Sequence, residues 1–210
     1  MVRSDVELHQ LIGAIVAADA ERVSRLLASS PELARASFQV GATRQAAVPF
    51  FLDQIGRYIY AGDTALHIAA AAYQTAIVEK LLAGGADVHA RNRLGQEALH
   101  AAACGSPGSR IWNPSAQAAT ITRLVEAGAD PGVLDKSGVS PLHKAVRTRC
   151  AAAVKTLLDL GADASLKNRS GSTPMLLAVQ NTGRGCTGSE DAKLQQREIV
   201  RLLEERAAVK

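Results

Sequence analysis

Apolar residues in this chain come in short bursts at helical spacing, each closed by a polar turn that ends in glycine. The clearest burst is Ile77, Val78, Leu81 and Leu82, an i, i+1, i+4, i+5 stripe that predicts a helix with one buried side. Leu11, Ala14, Val23, Leu26 and Leu27 fall in the same frame as Leu66, Ala69, Val78, Leu81 and Leu82, so the pattern reaches back toward the N-terminus. Ile199, Leu202 and Leu203 carry it forward on a helix whose Arg197, Glu198, Arg201, Glu204, Glu205 and Arg206 face water. Thr64, Ser140 and Thr173 stand where N-caps belong, and Pro141 and Pro174 follow at N1, where a missing N–H costs nothing. Gly84 or Gly85, Gly128 and Gly161 supply the left-handed residue that ends a helix.

The bursts belong to an internal repeat. "GDTALHIAAA" (62–71), "GQEALHAAAC" (95–104), "GVSPLHKAVR" (138–147) and "GSTPMLLAVQ" (171–180) align without gaps. "EKLLAGGAD", "TRLVEAGAD" and "KTLLDLGAD" close three of the units at Asp87, Asp130 and Asp163. Leu66 to Leu99 is 33 positions, Leu142 to Met175 is 33, and the step between them is 43, which leaves ten inserted residues.

Period, opening and closing motifs together resemble ankyrin repeats over nearly the whole chain outside three insertions. The resemblance implies an all-α solenoid of about five helix-pair repeats with β-turn fingers, binding other macromolecules through its fingers and concave face. One domain over 1–210 is expected: a degenerate N-terminal cap repeat (7–36), a finger-side insertion (37–61), repeats at 62–94, 95–137 and 138–170, and a C-terminal cap repeat (171–207). Polar outer faces on the end units are what a solenoid needs.

Position within the repeat decides where an insertion emerges. Leu27 to Thr64 spans 37 residues against 15 for Leu82 to Glu97, so about 22 extra residues leave the finger side between the first two units. "SPGSRIW" (106–112) and "NTGRGCTG" (181–188) instead separate the two helices of a unit and emerge at the opposite edge. Asn113 and Pro114 restart a helix as N-cap and N1, and Ser189, Glu190 and Asp191 open another with charge that suits the dipole.

Composition sharpens this picture. Seven aromatic residues occur in 210, and Phe38, Phe50, Phe51, Tyr58, Tyr60 and Trp112 lie in or beside the insertions, leaving Tyr73 alone in the repeat frame. Two readings of the first insertion stand side by side: a private core in which Phe50, Phe51 and Leu52 cover the first units, or an aromatic binding surface with Tyr58, Tyr60 and Trp112 presented. The net charge of +4 is concentrated. Residues 136–169 carry Lys136, Lys144, Arg147, Arg149, Lys155, Lys167 and Arg169 against Asp159 and Asp163, a local +5. Arg93, Lys136 and Arg169 share one finger position, and Arg147 occupies a variable place on a first helix. This basic column either favours an acidic protein partner or serves solubility alone; nucleic acid is disfavoured because no stacking aromatics alternate with the cations.

Cys104, Cys150 and Cys186 are odd in number and unpatterned, which argues against a disulfide framework or zinc ligation and for a reducing, cytoplasmic setting. The apolar run Leu11–Ala18 fits the helical frame and follows Asp5 and Glu7, so it reads as a helix and not as a leader; no stretch is long enough to span a membrane. His67, His100 and His143 recur at one position. Stacked helices lie ~8 to 10 Å apart while zinc ligands sit ~2 Å from the metal, so the three do not share an ion. The resemblance instead implies structural hydrogen bonds to neighbouring loops. His100 and Cys104 are four apart on one helix but lack an orienting carboxylate or an oxyanion donor. "GRGCTG" (183–188) fits GxGxxG without the strand that motif requires.

The expected function is non-catalytic protein binding by a monomer, without cofactor or metal, through Phe50, Phe51, Tyr58, Tyr60, Trp112, Arg93, Lys136, Arg147, Arg149 and Arg169. The alternative is a ligand-binding or enzymatic solenoid whose insertions close a pocket lined by Trp112, Tyr58 and Arg147.

Overall fold

The computed structural model describes residues 3–105, 107, 112–180 and 190–208, with the side chains of residues 3–5 left out. The third insertion (181–188) and most of the second, together with Cys186 and Ser189, lie outside the described residues.

Ten α-helices occur among the described residues, and they pair in chain order. They are α1 (Arg3–Val16) with α2 (Ala20–Ser29), α3 (Ala65–Ala71) with α4 (Thr75–Ala83), α5 (Ala98–Ala102) with α6 (Pro114–Glu126), α7 (Pro141–Arg147) with α8 (Ala151–Asp159), and α9 (Pro174–Val179) with α10 (Glu190–Ala208). The first helices stack in the order α1, α3, α5, α7, α9, and the second helices as α2, α4, α6, α8, α10, giving two layers with the core between them. The fold is an all-α solenoid.

Small residues let the first layer close up. Ala65, Ala69 and Ala70 of α3, Ala98, Ala101 and Ala102 of α5, and Ala145 of α7 are buried between neighbours, while Leu66, Leu99 and Leu142 fill the space toward the second layer. The apolar stripe of α4 behaves as its spacing predicts, with Ile77, Val78 and Leu81 fully buried. The proline starts hold: Pro114, Pro141 and Pro174 each open a helix, with Asn113, Ser140 and Thr173 accepting backbone N–H bonds as caps. Gly85, not Gly84, takes the left-handed place after α4 (φ +85°), as Gly128 and Gly161 do after α6 and α8.

In the α1–α2, α3–α4 and α7–α8 pairs the chain turns between the helices through one left-handed residue. That place is held by Ala18, Tyr73 and Arg149 (φ 57°, 56° and 59°), where a side chain costs roughly 1–2 kcal/mol that glycine would not. Tyr73 offsets this by donating its hydroxyl to the carbonyl of Cys104 in the following pair.

Candidate functional site

Each of the three recurring histidines ties its own helix start to the finger that follows. Nε2 of His67, His100 and His143 lies 2.9, 3.0 and 3.1 Å from the carbonyls of Gln96, Val139 and Ser172. Nδ1 accepts the backbone N–H of Thr64, Glu97 and Ser140 at 3.2, 3.2 and 3.3 Å. A ring that must donate from Nε2 and accept at Nδ1 is the neutral Nε2–H tautomer. Burial accordingly lowers the pKa of all three, that of His100 to about 4, with the nearby Lys144 ammonium adding to the effect. Both nitrogens of His100 are thus occupied, leaving none to serve Cys104 as a base. No group of three or more His, Cys, Asp or Glu side chains among the described residues could hold a metal ion.

The fingers repeat a second device. Asn92 Oδ1 accepts the N–H groups of Leu94 and Gln96, Asp135 Oδ1 those of Ser137 and Val139, and Asn168 Oδ1 those of Ser170 and Ser172, all at 2.8 to 3.1 Å. Burial works to raise the Asp135 carboxyl, but these N–H bonds and the Gln96 amide outweigh it and hold it below the usual range. A positive-φ glycine follows three residues later in each finger, at Gly95, Gly138 and Gly171. Successive fingers are stitched by backbone bonds from Arg93 to Ala61, Lys136 to Leu94 and Arg169 to Ser137, at 2.7, 3.0 and 3.0 Å. The residues expected to form a basic column therefore sit in one row along the finger edge.

The first insertion rides on that row. It contains a hairpin of β1 (Phe51–Leu52) and β2 (Arg57–Tyr58), antiparallel, with Phe51 opposite Tyr58. Alternation along β1 puts Phe50 and Leu52 against the core and turns Phe51 out. The private-core reading, in which Phe50, Phe51 and Leu52 all cover the first units, fails at Phe51 for this reason. Phe51 and Tyr58 are 37% and 39% exposed with ring centroids 4.7 Å apart, and Val48 beside them is 86% exposed. Phe38, by contrast, is buried edge-on to His9 at 5.2 Å. Arg57 reaches the buried Asp63 at 3.4 Å, and Asp63 also accepts from the Tyr60 N–H and the Asn92 amide, both at 2.8 Å. Arg93 donates to the Ala42 carbonyl at 2.6 Å and lies 5.2 Å over the Tyr60 ring. Its charge is thus spent holding the insertion. Lys136 Nζ donates to the Arg93 carbonyl at 2.9 Å and is exposed. Arg169 is exposed and makes no ion pair among the described residues.

Three matches to known families and sequences bear on this architecture. Residues 124–178 match the family model described as "Ankyrin repeats (many copies)", and residues 61–93 the one described as "Ankyrin repeat". The chain is an ankyrin-repeat protein. It is 39% identical over 89 residues to the mouse (Mus musculus) protein named "Ankyrin repeat and SOCS box protein 16", a stretch covering 41% of this chain and 19% of that protein. The chain thus spans about a fifth of the length of this relative.

Ankyrin repeats are generally protein–protein interaction modules, so surfaces matter more than clefts. Of the expected binding residues, Phe51, Tyr58, Tyr60, Arg93, Lys136 and Arg169 cluster on the finger edge of this ankyrin stack, and Phe50 supports them from below. Trp112, Arg147 and Arg149 do not join them. Arg147 and Arg149 flank the turn from α7 to α8, and half-buried Trp112 packs against the core just before α6. Tyr58 stands on the finger-side hairpin instead. Arg147 is exposed whereas Arg149 is buried. Sequence reasoning missed the Asn92, Asp135, Asn168 row, although an Asn or Asp three positions before each finger glycine was a readable column. It also missed Asp63, whose role depends on an insertion contact that no repeat alignment contains. No helix among the described residues is long and apolar enough to cross a membrane.

Proposed function

We propose that this ankyrin-repeat chain is a non-catalytic module that docks an acidic protein partner on its finger edge, with Phe51 and Tyr58 as the anchor and Lys136 and Arg169 steering approach. The observation that carries this reading is the outward ring pair on the hairpin of the insertion. Phe38, Ile55 and Ile59 are buried and Phe50 and Leu52 are partly covered, whereas the two touching rings stand exposed near Val48 and form a patch whose desolvation would favour association. Because Arg57 and Arg93 fasten the insertion, little ordering entropy remains to oppose binding. The surrounding cations complement an acidic surface and act mainly on association rate. Arg147 stands exposed at the opposite edge, with Arg149 buried beside it. We further infer a monomer divided into five units and three insertions, placed in the cytoplasm on the strength of its unpatterned cysteines.

The test is crosslinking of the intact chain to its partner, followed by binding measurements on the purified pair. Phe51→Ala with Tyr58→Ala should weaken binding at least tenfold, roughly what loss of one aromatic hot spot brings, while far-ultraviolet circular dichroism stays unchanged. Lys136→Ala and Arg169→Ala should slow association and flatten its salt dependence. Undiminished binding by the double ring variant would remove the basis for this surface.

A further inference from the structure

Arg149 sits in an unusual place for an arginine. It is only 8% exposed, and its Nη1 is buried with no hydrogen-bond partner. It occupies the left-handed junction between paired helices, the place that Tyr73 occupies two helix pairs earlier in the stack. Tyr73 uses its reach to donate to the next pair; Arg149 reaches toward α9, where its Nη1 finds no acceptor among the described residues. The notch around it is lined by Arg147, Gln180, Gln196 and the apolar Leu177 and Ile199, with no acidic side chain among the described residues of its wall. Its walls are fixed, since Gln196 donates to the Ala178 carbonyl at 2.8 Å and Gln195 accepts the Ala151 N–H at 3.0 Å.

A buried guanidinium with an unmatched N–H and no counter-charge is an incomplete ion pair. We propose that the notch at Arg149 receives a carboxylate, the head of an Asp or Glu side chain presented by the protein partner. The planar guanidinium fork matches the two oxygens of a carboxylate, and exposed Arg147 adds a second charge at the mouth. The space, about 10 Å³, admits one small group and not a whole ligand. An acidic side chain entering from a larger surface fits that limit, and the local +5 of residues 136–169 favours such a surface. The partner's identity as a protein rests on the protein-binding reading above; the preference for a carboxylate does not.

The intact chain, labelled with nitrogen-15 in its arginine side chains, is titrated with sodium acetate, with inorganic phosphate and with a capped tetraglutamate peptide. Arg149→Gly assigns the Arg149 signal, and glycine suits the left-handed backbone there, so this variant keeps the fold. Acetate and the peptide are expected to shift the Arg149 Nε–H signal saturably, while Arg201, already held by Glu198 and Glu205, stays unmoved. Peptide affinity should fall at least about tenfold in Arg149→Gly, the size expected for losing a hydrogen bond to a charged group. A linear drift shared by all arginines, or unchanged peptide affinity in Arg149→Gly, would overturn the proposal. Saturation by phosphate but not acetate would overturn the carboxylate assignment. The acetate titration is repeated on Phe51→Ala with Tyr58→Ala: a retained response with lost partner binding separates this site from the hairpin surface. A null response in a chain that still binds its partner sinks this inference alone.

Discussion

Acidification below neutrality should loosen the stack, and His100 sets the scale. The residue is fully buried, its Nδ1 accepts the Glu97 N–H and its Nε2 donates to Val139. Protonation would set two donors face to face, so the folded chain resists it and the pKa falls to about 4. An unfolded imidazole titrates near 6.5. Between those values the unfolded chain holds a proton that the folded chain does not, so stability is complete above about pH 6.5 and falls as pH drops. Linkage gives a loss of about 2 kcal/mol by about pH 5 and about 3 kcal/mol by about pH 4 from His100 alone. His67 and His143 act in the same direction, both lowered first by burial, with Asp63 opposing at His67. Glu97 works against them: burial raises its carboxyl despite Arg91, so it gains protons in the folded state. The assay is urea unfolding of the native chain and of His100→Gln at about pH 7.5 and about pH 5. His100→Gln should start less stable by about 1 kcal/mol for a lost hydrogen bond, yet lose about 2 kcal/mol less on acidification. Equal pH dependence in the two proteins would refute the neutral, doubly bonded imidazole.

Three further substitutions probe the seams of the stack. At Gly105 a Cβ would lie 2.6 Å from Cys150 Sγ and 2.9 Å from Tyr73 Oη, so Gly105→Ala should cost about 1–3 kcal/mol in urea unfolding. Tyr73→Phe removes the donor to Cys104 O, which Gln117 also reaches at 3.3 Å, so the loss should be near the lower end of a hydrogen bond, about 0.5 kcal/mol. Asn92→Ala frees the N–H groups of Leu94 and Gln96 together with the Asp63 contact, and their amide hydrogen exchange should rise well before that of the buried helices. Unchanged exchange at Leu94 and Gln96 would show that the finger does not depend on this side chain.

The helices were legible because each level of the sequence agreed on them. Alanine in the first helix, the apolar stripe in the second, a cap with proline at N1 and glycine at the end all favour one arrangement. The partial burial of Phe50 and the exposure of Phe51 were not legible. Both readings of the insertion came from composition, and only the hairpin register, Phe51 opposite Tyr58, decides which ring turns outward. Arg149 was hidden for a related reason. Sequence placed it among solvated basic residues, whereas the left-handed turn draws it under the next pair of helices.

The finger row shows why repeat register assigns place but not role. Arg93, Lys136 and Arg169 share one backbone position and one interfinger bond, yet their side chains meet different surroundings. Arg93 faces the first insertion, where a carbonyl and a tyrosine ring take up its charge; Lys136 reaches back to the Arg93 carbonyl; Arg169 extends past the last stitched finger into solvent. The field on this edge therefore grows away from the aromatic hairpin. A partner that buries Phe51 and Tyr58 must span the row to meet Arg169, and this favours an extended acidic segment over a compact acidic spot.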